Sequence, residues 1–135
     1  MRYLAIDLGG KRTGLAVGDD LTLIATPIEV LEIPPGPRLV EAIRAAIREH
    51  GPDELVLGLP LNMDGTSGPA AEGARAFAAE LAAATGLEVR LHDERLSSAA
   101  AEADLAGRFT RKGRKRRLDA VAAARILEGF LAAGD

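Results

Sequence analysis

The N-terminal stretch constrains the fold most, because it places a carboxylate at the end of a short apolar run. Residues 3–6 read Tyr-Leu-Ala-Ile between turn-forming residues, a pattern typical of a buried strand. Asp7 follows at the carboxyl end of that strand, although strands disfavour aspartate. Gly9 and Gly10 then permit a ligand to approach the backbone closely. Asp7 therefore either caps a turn, as aspartate near glycine often does, or serves a ligand.

The length and composition predict one domain. A chain of 135 residues can bury a single core, so we expect residues 1–135 to form a single domain. Cysteine is absent, which excludes disulfides and thiolate metal sites and fits a reducing cytoplasm. No apolar run is long enough to span a membrane, and the first residues lack the pattern of a secretory signal. We therefore expect a cytoplasmic protein with no membrane partner.

Three short strands precede the first helix and are expected to form an antiparallel meander. The second strand covers Leu15–Gly18, and Asp19–Asp20 should make the tight turn of a hairpin. The third strand then runs from Leu21 to about Val30. Pro27 lacks a backbone donor, so this strand is expected at an edge of the sheet.

Helices and strands alternate through the rest of the chain, which predicts parallel strands joined by helical crossovers. In chain order we expect a helix from about Leu39 to His50, a buried strand Glu54–Leu61, a helix from Pro69 to Thr85, a half-exposed strand Leu87–Leu91, a short helix from Ser97 or Ser98 to about Leu105, and a last helix from about Arg117 to Ala133. His50 is best explained as a cation at the C-terminal end of a helix, where its charge interacts favourably with the helix dipole.

The last helix brings a further carboxylate toward the sheet. Its predicted apolar face consists of Ala122, Ala123, Ile126, Leu127 and Phe130. Asp119 lies three and four residues before the first two of these, so helical spacing places it on the same face.

Three acidic positions are thus expected to converge: Asp7, Asp93 or Glu94, and Asp119. Several carboxylates in one pocket repel one another unless a cation lies between them, so we predict a divalent metal, Mg²⁺ or Mn²⁺, held by oxygen ligands. The two histidines do not have the spacing of a zinc site. Two such metals could activate water for phosphodiester hydrolysis.

A basic segment lies before the last helix, although the net charge of the chain is −3. From Arg108 to Arg117, seven of ten residues are Arg or Lys and none is acidic. Such a run is often only a solvated loop. Phe109 is its single aromatic residue, so we expect phosphate contacts with little base selectivity and a strong dependence on salt.

Four motifs together resemble the YqgF/RuvX family. They are Ala5–Ala16 (AIDLGGKRTGLA), Gly58–Gly65 (GLPLNMDG), the triplet Asp93–Arg95 and Arg116–Ala123 (RRLDAVAA). They span almost the whole chain in this order and are specific only in combination. The resemblance implies an α/β, RNase H-like fold, with a five-stranded mixed sheet of three antiparallel and then two parallel strands, flanked by helices. The element order predicted above agrees with it.

The resemblance also implies a metal-dependent nuclease that matures the 5′ end of pre-16S ribosomal RNA, with the Holliday junction of DNA as an alternative substrate. By motif, Asp7, Glu94 and Asp119 become the catalytic and metal-binding carboxylates. Strand five lies two strand spacings from strand one in this fold, which favours the long Glu94 over Asp93 and leaves Asp64 as an alternative ligand. The residues expected to bind nucleic acid are Lys11, Arg12, Arg95, Arg111, Lys112, Arg114, Lys115, Arg116 and Arg117.

Other classes of function stay open at this point. A nucleic-acid-binding module without catalysis would use the same basic residues. An Asp before a glycine turn also resembles the phosphate loop of sugar and acetate kinases, although the chain is too short for their two domains. Structured RNA, a four-way DNA junction and a ribosomal precursor particle are the expected partners, and the sequence leaves pairing of the protein with itself undecided.

Overall fold

The computed structural model describes residues 1–94 and 111–133, and within the last helix it describes side chains from Ala120 onward. The elements in chain order are β1 (Arg2–Asp7), β2 (Thr13–Asp19), β3 (Ala25–Leu31), α1 (Pro37–His50), β4 (Glu54–Leu59), α2 (Pro69–Thr85), β5 (Val89–Asp93) and α3 (Arg111–Ala133). Arg95 and the predicted short helix near Leu105 lie outside the described residues.

The five strands form one mixed sheet in the order β3-β2-β1-β4-β5. Strand β2 pairs antiparallel with both β1 and β3, whereas β4 pairs parallel with β1 and β5. The predicted mixed sheet is therefore confirmed. Pro27 lies on β3, which is an edge strand as predicted, where a residue without a backbone donor is tolerated.

One face of the sheet packs against α1 and α2 through long aliphatic side chains. The strands contribute Leu4, Ile6, Leu15, Leu55 and Leu57, and all five are fully buried. The helices add Leu39, Ile43, Phe77 and Leu81. This face is the larger part of the hydrophobic core.

The opposite face packs against α3 and is built differently. Tyr3, Ala5, Ala16 and Val56 meet the buried side of the helix. That side comprises Ala120, Ala123, Ala124, Ile126, Leu127, Phe130 and Leu131. Small residues dominate the sheet side, so the helix lies close to the strands. None of the described helices is long and apolar enough to cross a membrane.

The connection between β2 and β3 is longer than predicted. The prediction of a tight turn at Asp19–Asp20 was wrong, because β3 begins at Ala25 rather than at Leu21. The Asp19 carboxylate accepts hydrogen bonds from the backbone of Leu21 and Thr22, at 3.0 and 2.7 Å, which holds the chain in a wider turn. Leu23 closes this turn with a φ of 61°.

The last helix is also longer than predicted. It starts at Arg111 rather than at Arg117, so the carboxyl-terminal part of the basic segment is helical and not a loop. Arg and Lys are good helix formers, which explains the extension. Strand β4 ends at Leu59 rather than Leu61, because Pro60 cannot continue the ladder.

Candidate active site

Asp7 stands at the carboxyl end of the central strand. It is half-buried and pairs with Gly14 of β2. Side chains alternate along a strand, so Asp7 faces the same side as Tyr3 and Ala5, which is the α3 side. The Asp7 carboxylate therefore lies between β2 and β4, on the face of the sheet that packs against α3.

Glu94 reaches Asp7 although β4 lies between their strands. It is the first residue after β5, and its carboxyl group is hydrogen-bonded to the side chain of Asp7. Oε2 of Glu94 lies 2.6 Å from where a Cβ on Gly58 of β4 would be. The long glutamate therefore crosses β4 above a glycine. The prediction that Glu94 spans two strand spacings agrees with this geometry.

Burial raises the pKa of Glu94, because the charged form loses solvation. The hydrogen bond from Asp7 opposes this shift, and the negative charge of Asp93 adds to it. A hydrogen bond between two carboxyl groups requires a proton on one of them. Without a cation, one of these two carboxyl groups therefore carries the proton of their shared hydrogen bond.

Asp93 faces away from this pair. It is paired with Leu59 of β4, whose side chain belongs to the core beneath α1 and α2. Paired residues of neighbouring strands point to the same face, so Asp93 is directed to the side opposite Asp7. The pleat thus gives a second reason, besides length, to prefer Glu94 as the partner of Asp7.

The chemistry of Asp7 and Glu94 fits a hard divalent cation. Both are carboxylates, the ligands that Mg²⁺ and Mn²⁺ prefer, and a cation between them would replace the shared proton. Within residues 1–94 and the described part of α3, no three acidic or histidine side chains form a metal cluster. Asp119 lies on α3, one residue before the buried Ala120, but its side chain is outside what the structure describes. Its role as third ligand stays a prediction.

Asp64 lies in the exposed loop after β4. Its Oδ1 accepts hydrogen bonds from the backbone N–H and the hydroxyl of Thr66, at 3.0 and 2.6 Å. Asn62 donates to the same hydroxyl at 3.0 Å. These contacts shape the loop, so Asp64 has a structural role there, and its assignment as an alternative ligand stays untested.

The glycine turn after β1 combines a structural requirement with an open surface. A Cβ on Gly9 would lie 2.2 Å from the carbonyl oxygen of Arg12, so glycine is needed for the turn to close. Gly10 has open space beside it, and both glycines line a cleft of about 290 Å³ against the start of α2. Lys11 is exposed, and Nε of Arg12 lies 3.7 Å from a carboxylate oxygen of Glu32.

The first two turns of α3 carry an unusual charge. Six of the seven residues from Arg111 to Arg117 are basic, and no acidic residue lies in the first turn. Cations in the first turn of a helix oppose the helix dipole. The helix propensity of Arg and Lys allows these residues, but the dipole disfavours those in the first turn, and binding of a polyanion would offset that cost. Their side chains are not among the described ones.

The family model described as "RuvX: Holliday junction resolvase" matches residues 1–133. The chain therefore belongs to the RuvX family. This membership confirms the resemblance carried by the four motifs, and it favours a nuclease over a phosphotransferase.

Two relatives cover nearly all of the chain. A protein of Anaeromyxobacter sp. (strain Fw109-5), named "Putative pre-16S rRNA nuclease", is 48% identical over 132 residues, which are 97% of this chain and 96% of the relative. A protein of the same name from Geobacillus kaustophilus (strain HTA426) is 46% identical over 134 residues, or 97% of each chain.

Two solved structures share the fold. RuvC of T. thermophilus in complex with a Holliday junction substrate matches with a TM-score of 0.59 and 16% identity, over 99% of this chain and 95% of that one. The fowlpox virus Holliday junction resolvase matches with a TM-score of 0.58 and 13% identity, over 98% and 99%. At these identities the likeness concerns the fold alone, and it confirms the RNase H-like architecture of this RuvX member.

Sequence reasoning missed one residue of the site. The sequence places Gly58 in a buried strand and at the start of the second motif but predicts no role for it, whereas the structure places it under the side chain of Glu94. A glycine inside a strand of Leu and Val is a signal that another group approaches closely. The sequence alone does not reveal which group this is.

Proposed function

We propose that this chain is a metal-dependent endonuclease that cleaves phosphodiester bonds in structured nucleic acid, with the 5′ end of pre-16S ribosomal RNA as its first candidate substrate. The observation that carries the proposal is the hydrogen-bonded pair of Asp7 and Glu94 at the carboxyl ends of β1 and β5. A half-buried pair of like charges without a metal or a proton would be costly. The RNA substrate is supported by the names of relatives that are 48% and 46% identical.

Each part of the site has a separate role in this proposal. Asp7, Glu94 and Asp119 hold the cation, and Asp64 is the alternative ligand. Asp93 faces the opposite side of the sheet and is not proposed as a ligand. A bound Mg²⁺ or Mn²⁺ supplies Lewis-acid activation of water and stabilises charge on the leaving oxygen. The sheet orients Asp7, because it pairs with Gly14 of β2 and follows Ile6, which pairs with Leu57 of β4.

The basic residues bind the phosphate backbone. These are Lys11, Arg12, Arg95, Arg111, Lys112, Arg114, Lys115, Arg116 and Arg117. Contacts of this kind release counterions, so each neutralised phosphate adds about one unit to the slope of log affinity against log salt. Charge removal at Lys115 or Arg116 should reduce that slope by about one unit and weaken RNA and DNA equally.

A four-way DNA junction is the second candidate substrate, and the description of the matching family favours it. A binding module without catalysis is the competing class. The experiment offers the purified protein a 5′-extended 16S RNA precursor fragment and a four-way DNA junction side by side with Mn²⁺. Cleavage of the RNA alone supports ribosomal RNA maturation, and cleavage of the junction alone supports resolution.

The matched control is Asp7→Asn, which keeps the size of the side chain and removes its charge. We expect it to lower the rate by more than about 100-fold, the loss typical of one missing electrostatic contact to a transition state. Binding of both nucleic acids should persist. A protein that binds but cleaves neither substrate with any divalent metal would be a binding module.

A further inference from the structure

Glycine at position 58 is not explained by the backbone. Gly58 lies inside β4 and is not among the described glycines with positive φ, which are Gly36, Gly51, Gly65 and Gly86. Its conformation is therefore open to any residue, and a glycine inside a strand is less favourable than alanine. The other residues of β4 are Glu, Leu and Val. An unfavourable residue at a buried position indicates a need for space.

Two side chains occupy that space. A Cβ on Gly58 would lie 2.6 Å from Oε2 of Glu94 and 2.6 Å from Cδ1 of Ile126, a residue of α3. It would also lie 3.5 Å from the Cβ of Glu94, so the glutamate runs across the strand at this point. Real Cβ atoms essentially never approach other atoms within 3.0 Å, so any side chain here displaces Glu94, Ile126 or both.

The strand order makes this crossing necessary. Glu94 follows β5, Asp7 ends β1, and β4 lies between them. Two strand spacings amount to about 10 Å, which a glutamate spans only by lying flat over the intervening strand. Gly58 pairs with His92 of β5, two residues before Glu94, so it is the residue of β4 that this path crosses.

We propose that Gly58 is a positioning residue of the nuclease: the absence of a side chain leaves open the passage over β4 through which Glu94 reaches Asp7. This inference rests on the roles proposed above for Asp7 and Glu94. The alternative is a purely structural role, in which Gly58 only makes room for Ile126 in the core. The two explanations predict different behaviour when the contact with Ile126 is removed.

The deciding variant is the double substitution Gly58→Ala with Ile126→Val. Valine lacks the Cδ1 atom that the new methyl group would strike, so the double variant should approach the melting temperature of Ile126→Val alone. Its cleavage rate should nevertheless stay about 100-fold below that of Ile126→Val, since a displacement of about 1 Å in a catalytic group costs this much. Recovery of both stability and cleavage would overturn the proposal.

Metal affinity provides a readout that does not depend on a substrate. Calorimetric titration with Mn²⁺ should show about 10- to 100-fold weaker binding for Gly58→Ala, as for other changes that misorient a ligand. Adding Glu94→Gln to Gly58→Ala should weaken Mn²⁺ binding no further than Glu94→Gln does alone, because both changes act through one carboxylate. Additive losses would show that Gly58 acts elsewhere and would contradict the proposal.

Gly18→Ala is the matched control. A Cβ there would lie 2.4 Å from the carbonyl oxygen of Ile24 and 3.1 Å from Cδ2 of Leu127, so it crowds the same face against the same helix. Gly18 pairs with Tyr3, at the end of β1 remote from Asp7. This variant should lose stability but keep its affinity for Mn²⁺. If Asp7→Asn also keeps that affinity, the proposed metal site itself fails, and Gly58 fails with it.

Discussion

The two faces of the sheet are packed with different kinds of residue. Beneath α1 and α2 the strands present mainly long aliphatic side chains, of which Leu4, Ile6, Leu15, Leu55 and Leu57 are fully buried. Beneath α3 they present alanines, a valine and glycines, with Tyr3 and Phe130 in edge-to-face contact 5.2 Å apart at the end remote from Asp7. The first face therefore supplies most of the burial that stabilises the fold. The second face keeps one helix close to the strands and leaves room for charged groups.

Two adjacent residues of β1 face the two sides of the sheet. Leu4 points to the first face and Ala5 to the second, and both are fully buried. Substitutions at these two positions test whether stability and cleavage belong to different faces.

Leu4→Ala should have the largest effect on stability. Truncation of a buried leucine leaves a cavity and typically costs 2–5 kcal/mol, so we expect a loss of about that size in the free energy of unfolding. Cleavage per folded molecule should change little, because the cavity lies on the face opposite Asp7. Chemical denaturation and a cleavage assay at low temperature measure the two quantities. A loss of cleavage as large as that of Asp7→Asn would show that the faces are not separate.

Ala5→Leu should destabilise the protein less but damage cleavage more. Overpacking a well-packed core typically costs about 1–3 kcal/mol, and here the added volume pushes against α3. That helix carries Asp119, so its displacement should lower the cleavage rate. The same two assays apply to both variants. Unchanged cleavage by a folded Ala5→Leu protein would mean that the position of α3 is not critical.

Glu94→Gln should have the smallest effect on stability, and the effect should be a gain. Because the pKa of Glu94 is raised in the folded protein, the carboxyl contributes full stability at acidic pH and loses it as the pH rises through the raised pKa. Glutamine carries no charge to desolvate. The metal-free variant should therefore melt at a higher temperature than the wild type, by a margin that grows toward neutral pH, while cleavage is lost.

The control for this pH dependence is Glu80→Gln, which changes an exposed residue of α2. Its melting temperature should follow that of the wild type at every pH. If Glu94→Gln also follows the wild type from acidic to neutral pH, then the carboxyl of Glu94 is not held in the environment described above.

The sequence predicted more of the fold than of the site. The mixed sheet, the edge position of β3 and the bounds of α2 followed from apolar patterns and from Pro27, Pro69 and Gly86, because these signals are local. The prediction for the β2–β3 connection was wrong, because its turn depends on hydrogen bonds to the side chain of Asp19, which the pattern of apolar residues does not reveal.

The arrangement of the candidate site could not be predicted from the sequence, because it depends on which strands are neighbours and on the distances between them. The family resemblance predicted that Asp7 and Glu94 belong to one centre, but only the strand order and the position of Gly58 explain how their side chains meet. The direction of Asp93 followed from its pairing with Leu59, which the sequence does not give. The role of Asp119 remains a prediction from helical spacing and family resemblance.

Anomalous diffraction from crystals grown with Mn²⁺ would locate the cation relative to Asp7 and Glu94. We expect a manganese peak with an oxygen of Asp7 and an oxygen of Glu94 each within roughly 2–2.5 Å, the distance usual for hard cations and carboxylates. Absence of a peak at that position, with Asp7 and Glu94 still hydrogen-bonded to each other at saturating Mn²⁺, would contradict the proposed metal site.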